Sequence, residues 1–422
     1  MSETIIALII FIATYTFIIS EKIDRTAISF LGASLLILFG ILTEEEALHF
    51  IDFNTIGLLV GMMIIVNILK STGLFQYIAI KSAKISKGDP LKIMIIFCFV
   101  TAILSAFLDN VTTVLLIAPV TLVITDTLNL NPIPFLIPQI LSSNIGGTAT
   151  LIGDPPNIMI GSSANIGFLH FILNTGPISL IILIITVYLF KFMYKKQLIV
   201  DEETKKKIFK FDEKLALKDR KLLIKCLTVL FLVVCGLMTH QYVGLESSSV
   251  ALIGASIMMV ISKANVEEVL HSIEWTTIFF FMFLFILVGG IEKVGIIDEI
   301  AQVIVSFASD NLALATILLL WSSSILSSFL DNIPFVATMI PLIKKISLLS
   351  DINVMPLWWA LSLGACLGGN GSLIGASANV IVAGILKKNN HSISFIEYLK
   401  IGFPLMILSI ILSTIYLIAF YI

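Results

Sequence analysis

Three acidic residues stand inside stretches that are otherwise apolar or rich in glycine: Asp109, Asp154 and Asp331. An ionised carboxylate within a bilayer costs about 2.5–3.5 kcal/mol on insertion scales, so residues of this kind mark ion and substrate pathways. Asp109 and Asp331 share a local pattern, Ser-x-Phe-Leu-Asp-Asn. The first continues Val111-Thr112-Thr113 and the second Ile333-Pro334-Phe335. Each reads as the tip of a hairpin. A tip at mid-membrane leaves backbone groups without partners, which is tolerated only where they line a polar cavity. The oxygens of Asp109, Asn110, Thr112, Asp331 and Asn332 suit a hard cation such as Na⁺. The helix that follows Asn110 points its positive N-terminal end at the same place, which suits an anion. The simplest role for both acids is N-capping of the second hairpin arms, a role compatible with transport.

A second pair of motifs supplies neutral polar groups. Asn144-Ile145-Gly146-Gly147-Thr148-Ala149-Thr150-Leu151-Ile152-Gly153-Asp154-Pro155-Pro156-Asn157 has a counterpart in Gly368-Gly369-Asn370-Gly371-Ser372-Leu373-Ile374-Gly375-Ala376-Ser377-Ala378-Asn379. Interior Gly costs a helix about 1 kcal/mol and Pro about 3, so the chain is expected to break at both places. Broken helices at matching points of two repeats are the best pointer in a sequence to a transporter site. The candidate ligands here are Asn144, Gly147, Thr148, Thr150, Asp154 and Asn157, and Gly369, Asn370, Ser372, Ser377 and Asn379. Na⁺ is expected at the Asp109/Gly146–Asn157 and Asp331/Gly368–Asn379 loops. Asp154 aligns with Ala376, and a single unpaired acid is a natural carrier of a proton or cation.

These motifs are positioned by a duplication. At an offset of 222 residues, Gly32-Ala33-Ser34 falls on Gly254-Ala255-Ser256, and Glu45-Glu46-Ala47-Leu48-His49 on Glu267-Glu268-Val269-Leu270-His271. Pro119 falls on Pro341 and Asn157 on Asn379, and no gap is needed from Gly32 through Asn157. Duplication of this kind is a mark of membrane transporters. Apolar runs lie near 4–20, 26–42, 55–70, 91–107 with 111–127, 134–165 and 177–195. They recur near 220–239, 247–262, 276–292, 312–328 with 333–347, 356–388 and 399–421. Each half crosses the membrane five times if the hairpin is re-entrant, or seven times if both arms span. Either number is odd, so the second copy enters from the opposite side and the repeat is inverted. The expected organisation is a first repeat over 1–195, a charged linker over 196–219 and a second repeat over 220–422.

Composition agrees. Of 422 residues, 58% are hydrophobic and 13% charged, and the mean hydropathy is +1.06. Soluble domains carry about 25% charged residues. A net charge of −2 offers no basic face for nucleic acid. The first apolar run follows Glu3 rather than a basic segment, so it reads as a retained helix, not a signal peptide. The four cysteines lack metal-ligand spacing and read as small buried apolar residues. His49, His170, His240, His271 and His391 sit near span ends or loops and read as interfacial residues, with no proton relay suggested by their positions. Trp275, Trp358 and Trp359 read as interfacial anchors. Residues 195–221 hold ten of the 26 Lys and Arg, which places a solvated linker in the cytoplasm and both termini outside. Lys344-Lys345 then falls on the outer side, against the trend.

Leu108-Asp109-Asn110-Val111-Thr112-Thr113, Gly153-Asp154-Pro155-Pro156-Asn157 and Leu330-Asp331-Asn332-Ile333-Pro334 resemble the arsenite/sodium-proton permease branch of the ion transporter superfamily, and within it the P protein group. The Gly-Gly…Ile-Gly-x-Pro-Pro-Asn pattern also resembles the sodium-coupled dicarboxylate symporters, and the likeness covers nearly the whole chain. It implies an all-α membrane fold of two inverted repeats, each with about five spanning helices, one re-entrant hairpin and one broken helix. It further implies scaffold and transport domains, an elevator-like movement, a homodimer in the inner membrane and coupling to Na⁺ or H⁺. The symporters carry Ser-Asn-Thr at the hairpin tips where this chain has Asp-Asn, which disfavours a dicarboxylate. The expected function is ion-coupled transport of a small ion or anion, with Na⁺/H⁺ antiport as the alternative. A passive channel and an intramembrane aspartyl protease are more distant readings. The protease needs two acids, whereas the repeat supplies Asp331 as a mate to Asp109. There is no GxxxxGK[ST] motif for ATP.

Overall fold

The computed structural model describes residues 2–20, 22–350 and 352–422, with only the backbone of 306–310. Among them there is no strand. Among the described residues, ten helices are long and apolar enough to cross a membrane, and three shorter ones, Arg25–Leu38, Ser247–Ser262 and Met355–Gly368, are apolar as well.

Helix starts follow the sequence duplication. Arg25–Leu38, Glu44–Phe50, Phe53–Ser71, Leu74–Ile85, Pro90–Phe107, Asn110–Thr127, Ile133–Thr148 and Pro155–Ala164 are followed in the same order by Ser247–Ser262, Val266–His271, Trp275–Lys293, Ile296–Asp310, Leu312–Phe329, Asn332–Leu349, Met355–Gly368 and Ser377–Lys388. Each start in the second set lies 222 residues after its mate. Glu3–Ser20 and Phe168–Tyr194 flank the first set, and Arg220–Val243 and Phe395–Phe420 the second. Many of these starts are fixed by a side chain that accepts from the first orphan N–H groups: Asp24, Asp52, Asp89, Asp109, Asp219, Asn311 and Asp331 all do so.

Packing exchanges mates. Phe53–Ser71 lies on Ser247–Ser262, and Trp275–Lys293, its mate, lies on Arg25–Leu38. Asn110–Thr127 packs on Ser377–Lys388, and Asn332–Leu349 on Pro155–Ala164. The helices 133–148 and 355–368 are innermost, buried along nearly their whole length. Two groups result. One holds the helices from 3 to 71 and from 220 to 293. The other holds the hairpins, the broken helices and the long helices that close each half.

Four sequence expectations change. Trp358 and Trp359 are core residues; Trp359 stands edge-on to His170 and Phe171. A helix enclosed on every side carries no interfacial anchor, and only Trp275 is exposed. His240 is buried and its Nδ1 lies 2.7 Å from the Leu245 carbonyl. The linker is not simply solvated: Ile208 is buried, Lys84 pairs with Glu213, and Lys218 N donates to the Thr72 carbonyl at 3.0 Å. Helices Leu74–Ile85 and Ile296–Asp310 were absent from the hydropathy reading because their apolar residues form one face, not a run. Lys345, the cation out of pattern, pairs with Asp298 at 2.5 Å.

Candidate functional site

Both helices that carry the glycine pairs stop where expected, at Thr148 and Gly368, and chain continues as loop to Pro155 and Ser377. The loops are built alike. Ser105 Oγ donates to the Ser143 carbonyl at 2.6 Å, and its mate Ser327 Oγ to the Ala365 carbonyl at 2.6 Å. Thr150 Oγ1 donates to the Ala106 carbonyl, and Ser372 Oγ to the Ser328 carbonyl. The glycines allow this approach. A Cβ on Gly146 would lie 2.2 Å from the Ala102 carbonyl oxygen, and one on Gly368 2.6 Å from that of Ser324.

One asparagine clips each loop. Asn157 Nδ2 donates to the carbonyls of Gly147, Thr148 and Thr150 at 3.2, 3.4 and 3.0 Å. Asn379 Nδ2 donates to those of Gly369 and Ser372 at 2.7 and 2.9 Å. Their carbonyl oxygens reach the other half. Asn157 Oδ1 accepts from Ser362 Oγ at 2.8 Å and Cys366 Sγ at 3.3 Å, and Asn379 Oδ1 from Asn144 Nδ2 at 3.0 Å. Asn144 and Cys366 are themselves mates. Asn144 also donates to Asn370 Oδ1 at 2.9 Å and accepts from Asn110 Nδ2 at 3.2 Å. Thr148 Oγ1 donates back to the Asn144 carbonyl at 2.7 Å.

The three acids have different surroundings. Asp109 caps its helix, accepting from Thr112 N at 2.7 Å and Thr112 Oγ1 at 2.5 Å. Asp331 accepts from Ile333 N at 3.1 Å and Ser377 Oγ at 3.1 Å, and pairs with Arg25 at 2.5 Å. Asp154 is 1% exposed and its side chain caps nothing; Asn332 Nδ2 lies 3.5 Å from each of its oxygens, and the buried Cys366 thiol is a second hydrogen-bonding neighbour. Among the described residues no Lys, Arg or His forms an ion pair with it.

The starts of four helices therefore meet at the centre, since Asn332 reaches Asp154, Asp331 reaches Ser377, and Asn110 joins Asn379 through Asn144. Their N–H ends each bring partial positive charge to the same place as the three carboxylates. A cavity of about 730 Å³ opens beside Asp331, with Tyr15, Arg25 and Ser377 among its lining. Among the described residues no three His, Cys, Asp or Glu side chains cluster as a metal site. The donor set is one of carbonyl, amide, hydroxyl and single carboxylate oxygens, which fits an alkali cation in chemistry. The buried Thr113 hydroxyl, close after the first tip, has no hydrogen-bond partner.

Sequence reasoning missed Arg25, Ser362 and Cys366. Cys366 was reachable, being the mate of Asn144 under the 222-residue offset. Arg25 gave no signal beyond its place at the start of an apolar run.

The sequence profile of the family described as "Citrate transporter" matches residues 15–364. An uncharacterised transporter of Mycobacterium tuberculosis is 41% identical over 422 residues, covering 98% of both chains. The P protein of Homo sapiens is 31% identical over 500 residues, covering 99% of this chain and 60% of that one. Among solved structures, the Alcanivorax borkumensis YdaH transporter superposes with a TM-score of 0.60 at 11% identity, covering 99% of this chain and 98% of that one. At that identity the likeness speaks for the fold.

Proposed function

The chain belongs to the citrate transporter family of the ion transporter superfamily, a multi-pass membrane transporter, and from that premise we propose that it moves a small ion or small anion by ion-coupled alternating access. The observation that carries this reading is Asp154. A carboxylate sealed from water without a cation is unfavourable as a lone charge, and it is relieved by a proton or a bound cation. Binding and release of that cation then couple to whether the centre is open. The helix starts around it attract an anion at the same place, so cation and anion stabilise one another there.

In this reading the halves 1–195 and 220–422 are inverted repeats joined by a cytoplasmic linker over 196–219. The hairpins that meet at Asp109 and Asp331 are re-entrant, and both termini face outward. The group of helices carrying hairpins and broken helices moves as one body against the rest, elevator-like, in an inner-membrane homodimer. The coupling cation is Na⁺ or H⁺, held at the two clipped loops by backbone carbonyls with spare lone pairs, by Thr113 and by the acids.

A second reading, Na⁺/H⁺ antiport, is favoured by the same residue: one acid that alternately holds Na⁺ and a proton needs no anion. Vesicles containing purified protein separate the two. Uptake of a labelled small carboxylate or oxyanion that requires an inward Na⁺ or H⁺ gradient supports the first. Na⁺-driven proton movement without other solute supports the second. Solute flux that ignores every ion gradient would overturn both and leave a passive channel.

A further inference from the structure

The two hairpin tips are chemically alike and differently satisfied. Asp109 has only its own helix start and Thr112. Asp331 has Arg25, whose Nη1 lies 2.5 Å from its Oδ2 and 3.4 Å from Ser377 Oγ. The Arg25 guanidinium lies over the Phe280 ring, 4.9 Å from the centroid. Arg25 and Phe280 belong to the group of helices that packs Arg25–Leu38 on Trp275–Lys293, while Asp331 and Ser377 belong to the hairpin and broken-helix group. The ion pair thus crosses the seam between the two groups. Tyr15 crosses it nearby, donating to the Pro334 carbonyl at 3.1 Å.

Arg25 is the first residue of a short helix, fourteen residues and about 21 Å long, so its side chain leaves the helix start facing the second hairpin tip. Its guanidinium pairs with Asp331 there. The repeat gives no second copy of the device. The mate of Arg25 is Ser247, which bonds Asn54 Oδ1 at 3.3 Å. One tip can be neutralised by a side chain of the opposite group, and the other cannot.

We propose that Arg25 is a tethered counter-ion, occupying at Asp331 the place that a coupling cation takes when the second hairpin tip leaves the start of helix Arg25–Leu38. The inference rests on the reading of the chain as a cation-coupled transporter. The ligands of the exchange are visible: Asp331 Oδ2 and Ser377 Oγ both face the guanidinium and lie 3.1 Å apart. A Na⁺ ion seated on these oxygens excludes the guanidinium. Arg25 then performs two tasks. It keeps Asp331 from being an uncompensated charge while the tip is docked, and it sets how much Na⁺ is needed to release the tip. Its cation–π contact with Phe280 holds the guanidinium ready in its own group.

The test needs no transport assay. Full-length protein in detergent is melted at fixed pH and ionic strength while Na⁺ replaces choline. Coupling between linked binding equilibria is typically worth about five-fold or more in affinity, and the docking of Arg25 on Asp331 is linked in this way to Na⁺ binding. Arg25→Gln should therefore reach half of its Na⁺-dependent stabilisation at a roughly five- to tenfold lower Na⁺ concentration than the wild type. Arg25→Lys, which keeps the charge, should stay near the wild type. Adding Asp331→Asn to Arg25→Gln should abolish the gain. Identical Na⁺ curves for wild type and Arg25→Gln, or a gain that survives in the double variant, would overturn the proposal. Should Arg25→Gln not fold, recovery of folded protein in the double variant supports it, since the uncompensated carboxylate is then the cause. Failure of the double variant to recover contradicts it. Absence of ion-coupled flux in vesicles, with this Na⁺ linkage intact in detergent, would instead strike at the transport reading alone.

Discussion

Both carboxylate oxygens of Asp154 lie 3.5 Å from one donor, Nδ2 of Asn332. The bond joins the break of the first half to the hairpin tip of the second, and it is long for a hydrogen bond to an ionised group, for which 2.7–2.9 Å is usual. An acid whose neighbours are this amide and the buried Cys366 thiol, and whose side chain takes no backbone N–H of its own helix, is not a structural cap. Its mate position carries Ala376, which bears no charge, and the loop around it forms equally well.

The two clips should be structural. Asn157→Ala removes an amide that ties three carbonyls, and Asn379→Ala one that ties two. Each leaves buried polar groups without partners, at a cost of about 1–3 kcal/mol. Thermal unfolding in detergent should show both variants destabilised, Asn157→Ala more so. A wild-type melting curve for either would remove the clip from the account.

Close approach at the breaks predicts a contrast among glycines. Gly146→Ala and Gly368→Ala each force a methyl to within 2.6 Å or less of a backbone oxygen on a hairpin arm. Backbone cannot yield as a flexible side chain does, so both variants should express poorly or melt well below the wild type. Gly384→Ala meets nothing within 4 Å and replaces a helical glycine, so it should be neutral or stabilising by up to about 1 kcal/mol. Equal behaviour of Gly146→Ala and Gly384→Ala would contradict the packing described.

Outside the spans, Glu46 is held low, at about 2, first by the hydrogen bond from Lys293 and next by the Thr43 backbone N–H. The pair closes at 2.5 Å between short helix Glu44–Phe50 and the end of Trp275–Lys293. A carboxyl with a lower pKa folded than unfolded contributes stability above its unfolded value and loses it as pH falls through the folded one. The difference between wild type and Glu46→Gln should thus be complete above about pH 4.5 and vanish towards pH 2. Both side chains are exposed, so added salt should shrink the difference. A gap that persists unchanged at pH 2 would point to another cause.

Much of this arrangement was legible in the sequence because duplication repeats its chemistry. Asp109 with Asp331, Gly146 with Gly368 and Asn157 with Asn379 could be paired before any coordinates; the glycine approaches and the asparagine clips prove alike in the two halves, while the two acids are satisfied differently. Hydropathy located the long helices because a run of apolar residues has one meaning in lipid. It could not separate Trp358 and Trp359 from true interfacial aromatics, since the enclosure of helix Met355–Gly368 depends on its neighbours. Nor could it find Leu74–Ile85, whose apolar residues are confined to one face. Arg25 lay beyond its reach for a different reason. A cation beside a loop reads as interfacial, and only the three-dimensional meeting with Asp331, far along the chain, gives it a partner.

The role of Asp154 as the residue that couples ion binding to transport is open to direct measurement. Purified wild type and Asp154→Asn are placed in liposomes with a pH-sensitive dye inside, and Na⁺ gradients are applied with and without labelled small anions. The amide keeps the shape and the contact with Asn332 but cannot take up a proton or balance a cation, so the variant should fold and melt at or above the wild-type temperature. Its ion-dependent flux, whether proton movement or anion uptake, should fall at least about a hundredfold, a loss of some 2.7 kcal/mol in coupling. Wild-type ion-dependent flux from folded, inserted Asp154→Asn protein would contradict the account at its centre.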